Sequence, residues 1–205
     1  MHSYEPREGH RLAHDPLNAI VAPRPIGWVS TLAADGTANL APYSFFNLFN
    51  YSPPVVGFSS VGYKDSAANA EATGEFVWNL ASVALAGPMN ETSAPVGPEV
   101  DEFALAGLTP APSTLVGPPR VGESLVAFEC RVTRVLRLTD AAQHEVDAWL
   151  VLGEVVLVHL DERVVVDGTV DTLALDPLLR AGGPADYFTL AEDRRLRLAR
   201  PGAPR

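Results

Sequence analysis

The chain has 205 residues, of which 47% are hydrophobic and 20% charged, the balance of an ordinary globular protein long enough for one sizeable core. Its formal net charge of −10 argues against a phosphate-backbone partner, which needs clustered Lys and Arg, so no nucleic acid is expected. No apolar run reaches the roughly 18 residues of a membrane span, the opening MHSYEPREGHRLAHD lacks the apolar core of a secretory signal, and the lone Cys130 excludes an internal disulfide.

These features predict a single soluble domain over 1–205 in a reducing cytoplasm, with no membrane association, residues 1–15 mobile and 191–205 forming a carboxy-terminal tail.

In chain order, extended signals come first. Gly27–Ala33 and Thr37–Phe45 flank Asp35-Gly36, a strong short-range hairpin signal between β-rich runs. The next stretch, Asn39–Pro54, mixes Asn39, Ser44, Asn47 and Asn50 with three Phe and two Tyr, where a plain core strand would carry Val and Ile. Such a segment suits either a flat heteroaromatic ligand, hydrogen-bonded at its edge and packed on its face, or a packed corner with turn-forming Asn and Ser. Pro54–Ser60 reads as a buried strand and Gly74–Ser82 as another, alternating from Phe76 to Leu80.

Between them one helix fits, from Lys64 to Thr73, rich in Ala, with Asp65 and Ser66 as candidate N-caps and Gly74 as the C′ residue. Lys64, the one lysine in the chain, therefore stands at a helix start. A helix N-terminus with an ammonium and a hydroxyl can seat a phosphate. It can equally be a capped helix end with a solvated lysine.

Ser124–Leu138 and Ala148–Leu160 read as a second, longer hairpin around the polar turn TDAAQHEVD. The segment 84–119, rich in Pro and Gly, and the tail after Asp176 break the strand pattern. The whole predicts a mainly β fold, a β-barrel with a few peripheral helices.

Common side-chain catalytic motifs are absent: no G-x-S-x-G, no H-E-x-x-H, no Walker A loop and no G-x-G-x-x-G after a strand. His2, His10, His14, His144 and His159 show no metal-ligand spacing, so no metal is expected. His159, at a strand end, reads as structural, and Cys130 as a small buried hydrophobe.

PRPIGWVSTLAADGTANLAPYSFFN (Pro23–Asn47), then SPPVVGFSS, then KDSAANAEATGEFVWNL resemble, in order, three motifs of the flavin reductase-like family of FMN-binding split β-barrels. Weaker echoes follow at Gly87–Pro95, Phe103–Pro110 and Pro177–Phe188. The resemblance implies a split β-barrel with Greek-key-like connections, FMN as cofactor, and a homodimer with FMN near its interface. It implies that Lys64, Asp65 and Ser66 hold the FMN phosphate. It places Ala41, Pro42, Tyr43, Ser44, Phe45 and Asn47 along the isoalloxazine, and Val29, Ser30 and Thr31 nearby, with Ser59 and Ser60 in the matching second motif. Arg180 and Tyr187 match a segment that approaches the flavin or the dimer interface in relatives.

With FMN bound, hydride from NADH or NADPH needs no side-chain acid or nucleophile, which matches the absence of catalytic motifs. The expected activity is that of an NAD(P)H:flavin oxidoreductase, as the reductase component for a separate monooxygenase. The alternatives are a non-enzymatic, flavoredoxin-like FMN electron carrier and a barrel that has lost its flavin; the intact Lys-Asp-Ser and aromatic segments argue against the last.

Overall fold

The computed structural model describes residues 1–202, so residues 203–205 of the expected tail lie outside the described residues. In chain order, a one-turn helix α1 (Leu17–Ile20) and a short strand β1 (Arg24–Pro25) lead into β2 (Gly27–Leu32), β3 (Ala38–Tyr43), β4 (Phe46–Tyr51) and β5 (Pro54–Val61). Helix α2 (Asp65–Thr73) and β6 (Glu75–Asn79) follow, then α3 (Ala86–Glu91), α4 (Glu102–Leu105) and the short pair β7 (Pro110–Ala111) and β8 (Arg120–Val121). The long β9 (Val126–Thr139) and β10 (Glu145–Leu160) come next, then the pairs β11 (Val165–Val166) with β12 (Thr169–Val170) and β13 (Leu179–Arg180) with β14 (Tyr187–Phe188). Among the described residues no helix is long and apolar enough to cross a membrane.

Seven strands form one antiparallel sheet in the order β3-β2-β6-β9-β10-β5-β4. Its two edge strands, β3 and β4, are consecutive in the chain and separated only by Ser44 and Phe45. A sheet whose opposite edges are tied by two residues has to curl until they meet, so it closes into a barrel that stays split between β3 and β4. At the corner between them, Ser59 N–H of β5 donates to Phe45 O at 2.8 Å and extends the β4–β5 ladder. The passage from β5 through α2 to β6 skips β9 and β10, which makes the path Greek-key-like.

Asn39–Pro54 thus forms a corner, one of the two readings its Asn and Ser allow, flanked by the two sheet edges. The Asp35-Gly36 hairpin forms as expected, with Gly36 at φ +91°, which a side chain would oppose, and Asp35 Oδ1 accepting from Thr37 N–H at 2.9 Å.

The barrel interior is filled by Val29, Tyr43, Val56, Phe58, Phe76, Cys130 and Val151, plugged by Ala67 and Ala70 of α2. Alanines on the inward face let the helix lie close to the strands, and α2 stops at Gly74, which takes the left-handed conformation and donates to Ala70 O. A second cluster of Ile26, Trp28, Leu40, Met89, Phe103 and Leu108 packs on the outer side of β2 and β3. β2 is therefore covered on both faces and buried along almost its whole length, Ser30 and Thr31 included. The segment 84–119, which has no periodic signal, supplies α3 and α4 to that outer layer.

Candidate functional site

Two adjoining clefts open where β3, α2, α3 and α4 converge. The larger, about 530 Å³, is lined by Asn39, Ala41, Pro42 and Tyr43 of β3, by Lys64, Asp65 and Ser66 at the start of α2, by the loop Thr92–Val96 and by Glu102. The smaller, about 260 Å³, is lined by Ile26, Pro42, Ser44, Met89, Asn90, Ser93, Arg180, Pro184 and Tyr187. Pro42 and Ser93 belong to both walls.

The α2 end corrects one sequence expectation. Lys64, not Asp65 or Ser66, is the N-cap residue, with extended backbone (φ −86°, ψ 169°) and no side-chain capping bond. Lys64 O already accepts from Ala67 and Ala68 N–H at 2.9 and 3.0 Å, so Asp65 falls inside the helix. The Ser66 hydroxyl is buried and engaged elsewhere, accepting from Asn39 Nδ2 at 2.8 Å. Among the described residues, no protein acceptor meets the N–H groups of Asp65 and Ser66, and no carboxylate pairs with the exposed Lys64. A cation and two free amide donors at the positive end of a nine-residue helix face the cleft.

The floor is a polar network. Asn39 Nδ2 also reaches Thr31 Oγ1 (3.3 Å), which accepts from Asn69 Nδ2 (3.2 Å) and so ties α2 to β2. Burial pushes the Tyr43 phenol up, against the easing effect of the Ser66 and Ser60 side chains. On the opposite wall Glu102 is buried, and its Oε2 accepts Leu40 N–H at 2.9 Å, which satisfies a backbone donor on edge strand β3. Burial raises the Glu102 carboxyl above the ordinary range, with Asp65 and Asp101 adding to the rise. Trp28 Nε1 donates to Thr92 Oγ1 at 2.9 Å and fixes the loop wall from inside the outer core.

The structure gathers Ala41, Pro42, Tyr43, Lys64, Asp65 and Ser66 around the larger cleft and Ser44, Arg180 and Tyr187 around the smaller. It leaves the other expected site residues off both walls. Val29 is core, Thr31 lies beneath the floor, and Ser30 Oγ donates to Pro119 O at 2.5 Å on the outer side. Phe45 is exposed beside the Arg24 guanidinium, Ser60 Oγ donates to Gly62 O, and Ser59 sits on the β4–β5 seam. Asn47 faces a separate apolar groove of about 780 Å³. The sequence reading missed Glu102 as a wall residue, whereas Asn39 was among the polar residues it set out for ligand contact; Thr92–Pro95 fall within the echo Gly87–Pro95.

The flavin reductase-like domain model matches residues 21–179. The uncharacterised protein YwrF of Bacillus subtilis is 37% identical over 183 residues, spanning 86% of this chain and 88% of that protein. Nitrilotriacetate monooxygenase component B from Bacillus cereus superposes with a TM-score of 0.86 at 32% identity, covering 96% of this chain and 98% of that one. The 2-nitrobenzoate 2-nitroreductase NbaA of Pseudomonas fluorescens gives 0.79 at 27% identity, with 91% and 89% covered. By the match of its sequence and the form of its split barrel, the chain belongs to the flavin reductase-like family.

Proposed function

We propose that the larger cleft binds FMN and that the protein is an NAD(P)H-dependent flavin reductase serving a separate monooxygenase. The observation that carries this reading is Lys64, unpaired among the described residues, at the open N-terminus of α2, beside a cleft whose size lies within the usual few hundred Å³ of small-ligand sites. Lys64 and the N–H groups of Asp65 and Ser66 would hold the phosphate. The Glu102 carboxylate is an acceptor for ligand hydroxyls, and Ala41, Pro42 and Tyr43 offer a wall for the ring. Bound FMN would supply hydride acceptance and release, the chemistry that no side chain here provides. The likeness to a monooxygenase component B supports the reductase role.

The second copy of a homodimer fits the apolar groove, where Leu48, Tyr51, Val158 and Leu190 are exposed together. The single cysteine, Cys130, is buried and its thiol pKa is pushed up by burial, which makes it an inert core thiol.

The test is stopped-flow mixing of the FMN-loaded protein with NADH or NADPH. Loss of the flavin absorbance band in well under a second is expected, since turnover is commonly about 1 to 1000 per second. Slow bleaching by both nucleotides at millimolar concentration, with rapid reduction by dithionite, rejects the reductase and favours an electron carrier.

A further inference from the structure

We propose that the smaller cleft, beside Arg180, seats the carboxylate or phosphate group of the molecule that exchanges electrons with the flavin; this rests on the reading of the larger cleft as the flavin site. The two clefts share Pro42 and Ser93 in their walls, so they lie side by side.

Arg180 is held in a fixed pose at the cleft wall. Its Nη1 donates to Asp186 O at 3.2 Å, its Nη2 to Gly183 O at 3.2 Å and Pro184 O at 2.9 Å, and its guanidinium lies 4.9 Å from the Tyr187 ring centroid. These contacts use three of the five N–H groups; Nε–H and one Nη1–H have no acceptor among the described residues. No carboxylate there pairs with Arg180, and the Asp186 carboxylate lies over Gly183 instead.

A second cation stands directly across the β1–β13 ladder. Arg24 is the register partner of Arg180, is only 8% exposed, and is held entirely by the carbonyls of Asn18, Val21, Ser44 and Ala181. Two neighbouring guanidinium groups, neither ion-paired among the described residues, form a local concentration of positive charge in a chain of net charge −10. The repulsion is felt at Arg24, whose pKa is lowered first by burial and then by the charge of Arg180. A pre-oriented, partly desolvated guanidinium suits a planar carboxylate or a phosphate oxygen. The cleft exceeds the roughly 150 Å³ that encloses a benzene ring, so it admits an acid of benzoate size or a phosphate, not a whole dinucleotide.

The test uses FMN-loaded protein with benzoate and inorganic pyrophosphate as probes, titrated calorimetrically at low and moderate salt. At least one probe should bind at millimolar concentration or below, more weakly in salt. Arg180→Gln should weaken it about tenfold or more, the loss of a charged hydrogen bond, while FMN affinity changes less than about twofold. Preference for benzoate assigns an organic acid; preference for pyrophosphate assigns a nucleotide.

Ser44→Glu, which sets a carboxylate in the same cleft and leaves the Arg180 turn intact, should displace the probe equally well. That variant decides the matter if Arg180→Gln fails to fold. The proposal is overturned if neither probe binds, if both variants bind as the wild type does, or if Arg180→Gln loses FMN along with the probe. Arg180-dependent probe binding in a protein that takes up no FMN would keep the anion seat and overturn the flavin reading and the proposed electron exchange.

Discussion

Among the described residues Lys64 has neither an acid to neutralise it nor a carbonyl to hold it, and it lines the cleft together with Asp65 and Ser66, whose amide groups the helix leaves open. If it meets a phosphate there, Lys64→Ala should weaken FMN binding by about 1.5 to 3 kcal/mol, the range for hydrogen bonds to charged groups, or roughly 10- to 150-fold. Riboflavin, which lacks the phosphate, should be nearly indifferent. Titrating the flavin-free protein with each compound decides it, and equal losses would make the lysine structural.

Glu129 is a different kind of charge, fully buried near the start of β9, where it accepts from Thr114 N–H (2.7 Å), Leu115 N–H (2.5 Å) and His159 Nε2 (2.6 Å). Burial alone would raise its pKa, but the His159 contact and the two amides outweigh burial and hold it below the ordinary value. A carboxyl lowered in the fold contributes stability above its unfolded pKa, and that contribution is lost as pH falls through the folded value. Glu129→Gln should therefore cost about 1 to 3 kcal/mol near neutrality, with the gap to wild type closing in acid. Thermal unfolding followed across pH reads this directly, and a gap that widened in acid would contradict it. His159 accordingly serves structure, as its strand-end position implied, although its partner lies thirty residues away in sequence and could not be named from it.

At the scale of elements, β10 begins at Glu145, earlier than the expected Ala148, and the register of the β9–β10 hairpin shifts between Leu152 and Gly153. A Cβ at Gly153 would meet Phe76 Cζ at 2.7 Å and Arg131 O at 3.2 Å, so only glycine lets the Phe76 ring lie against the strand. Gly153→Ala should cost about 1 to 3 kcal/mol of overpacking, visible as a lower urea midpoint, whereas an unchanged midpoint would mean that Phe76 yields freely. Gly153 reads in the sequence as one more residue of an apolar run, because the ring it accommodates comes from β6. Asn39–Pro54 is legible as a packed corner, but the place of the bend, at Ser44 and Phe45, follows from the need to join two edges of one curled sheet.

At the scale of the molecule, curling leaves one broad apolar surface, the groove of about 780 Å³ between β4, β10 and the 172–190 segment. If a second copy covers it, light scattering at micromolar concentration should give twice the 21.9 kDa chain mass, and Leu48→Asp or Val158→Asp should return the monomer. A wild-type monomer at that concentration would reject the dimer. The same surface receives Asn47, which explains why a residue expected beside the ring lies away from both clefts.

What the sequence determined by itself was local: the Asp35-Gly36 hairpin, the Ala-rich α2 with Gly74 at its end, the two long β runs, and Lys64 at a helix start. Turn chemistry, capping and periodicity act over a few residues, so they can be read without a fold. Motif order added the family and its barrel. Only the tertiary structure could bring Glu102, sixty-two residues from Leu40, into the cleft wall, set Arg24 against Arg180 across a ladder, and bury Thr31 beneath the floor. Those placements depend on which strands become edges and which faces the two cores cover, and such choices arise from packing the whole chain at once.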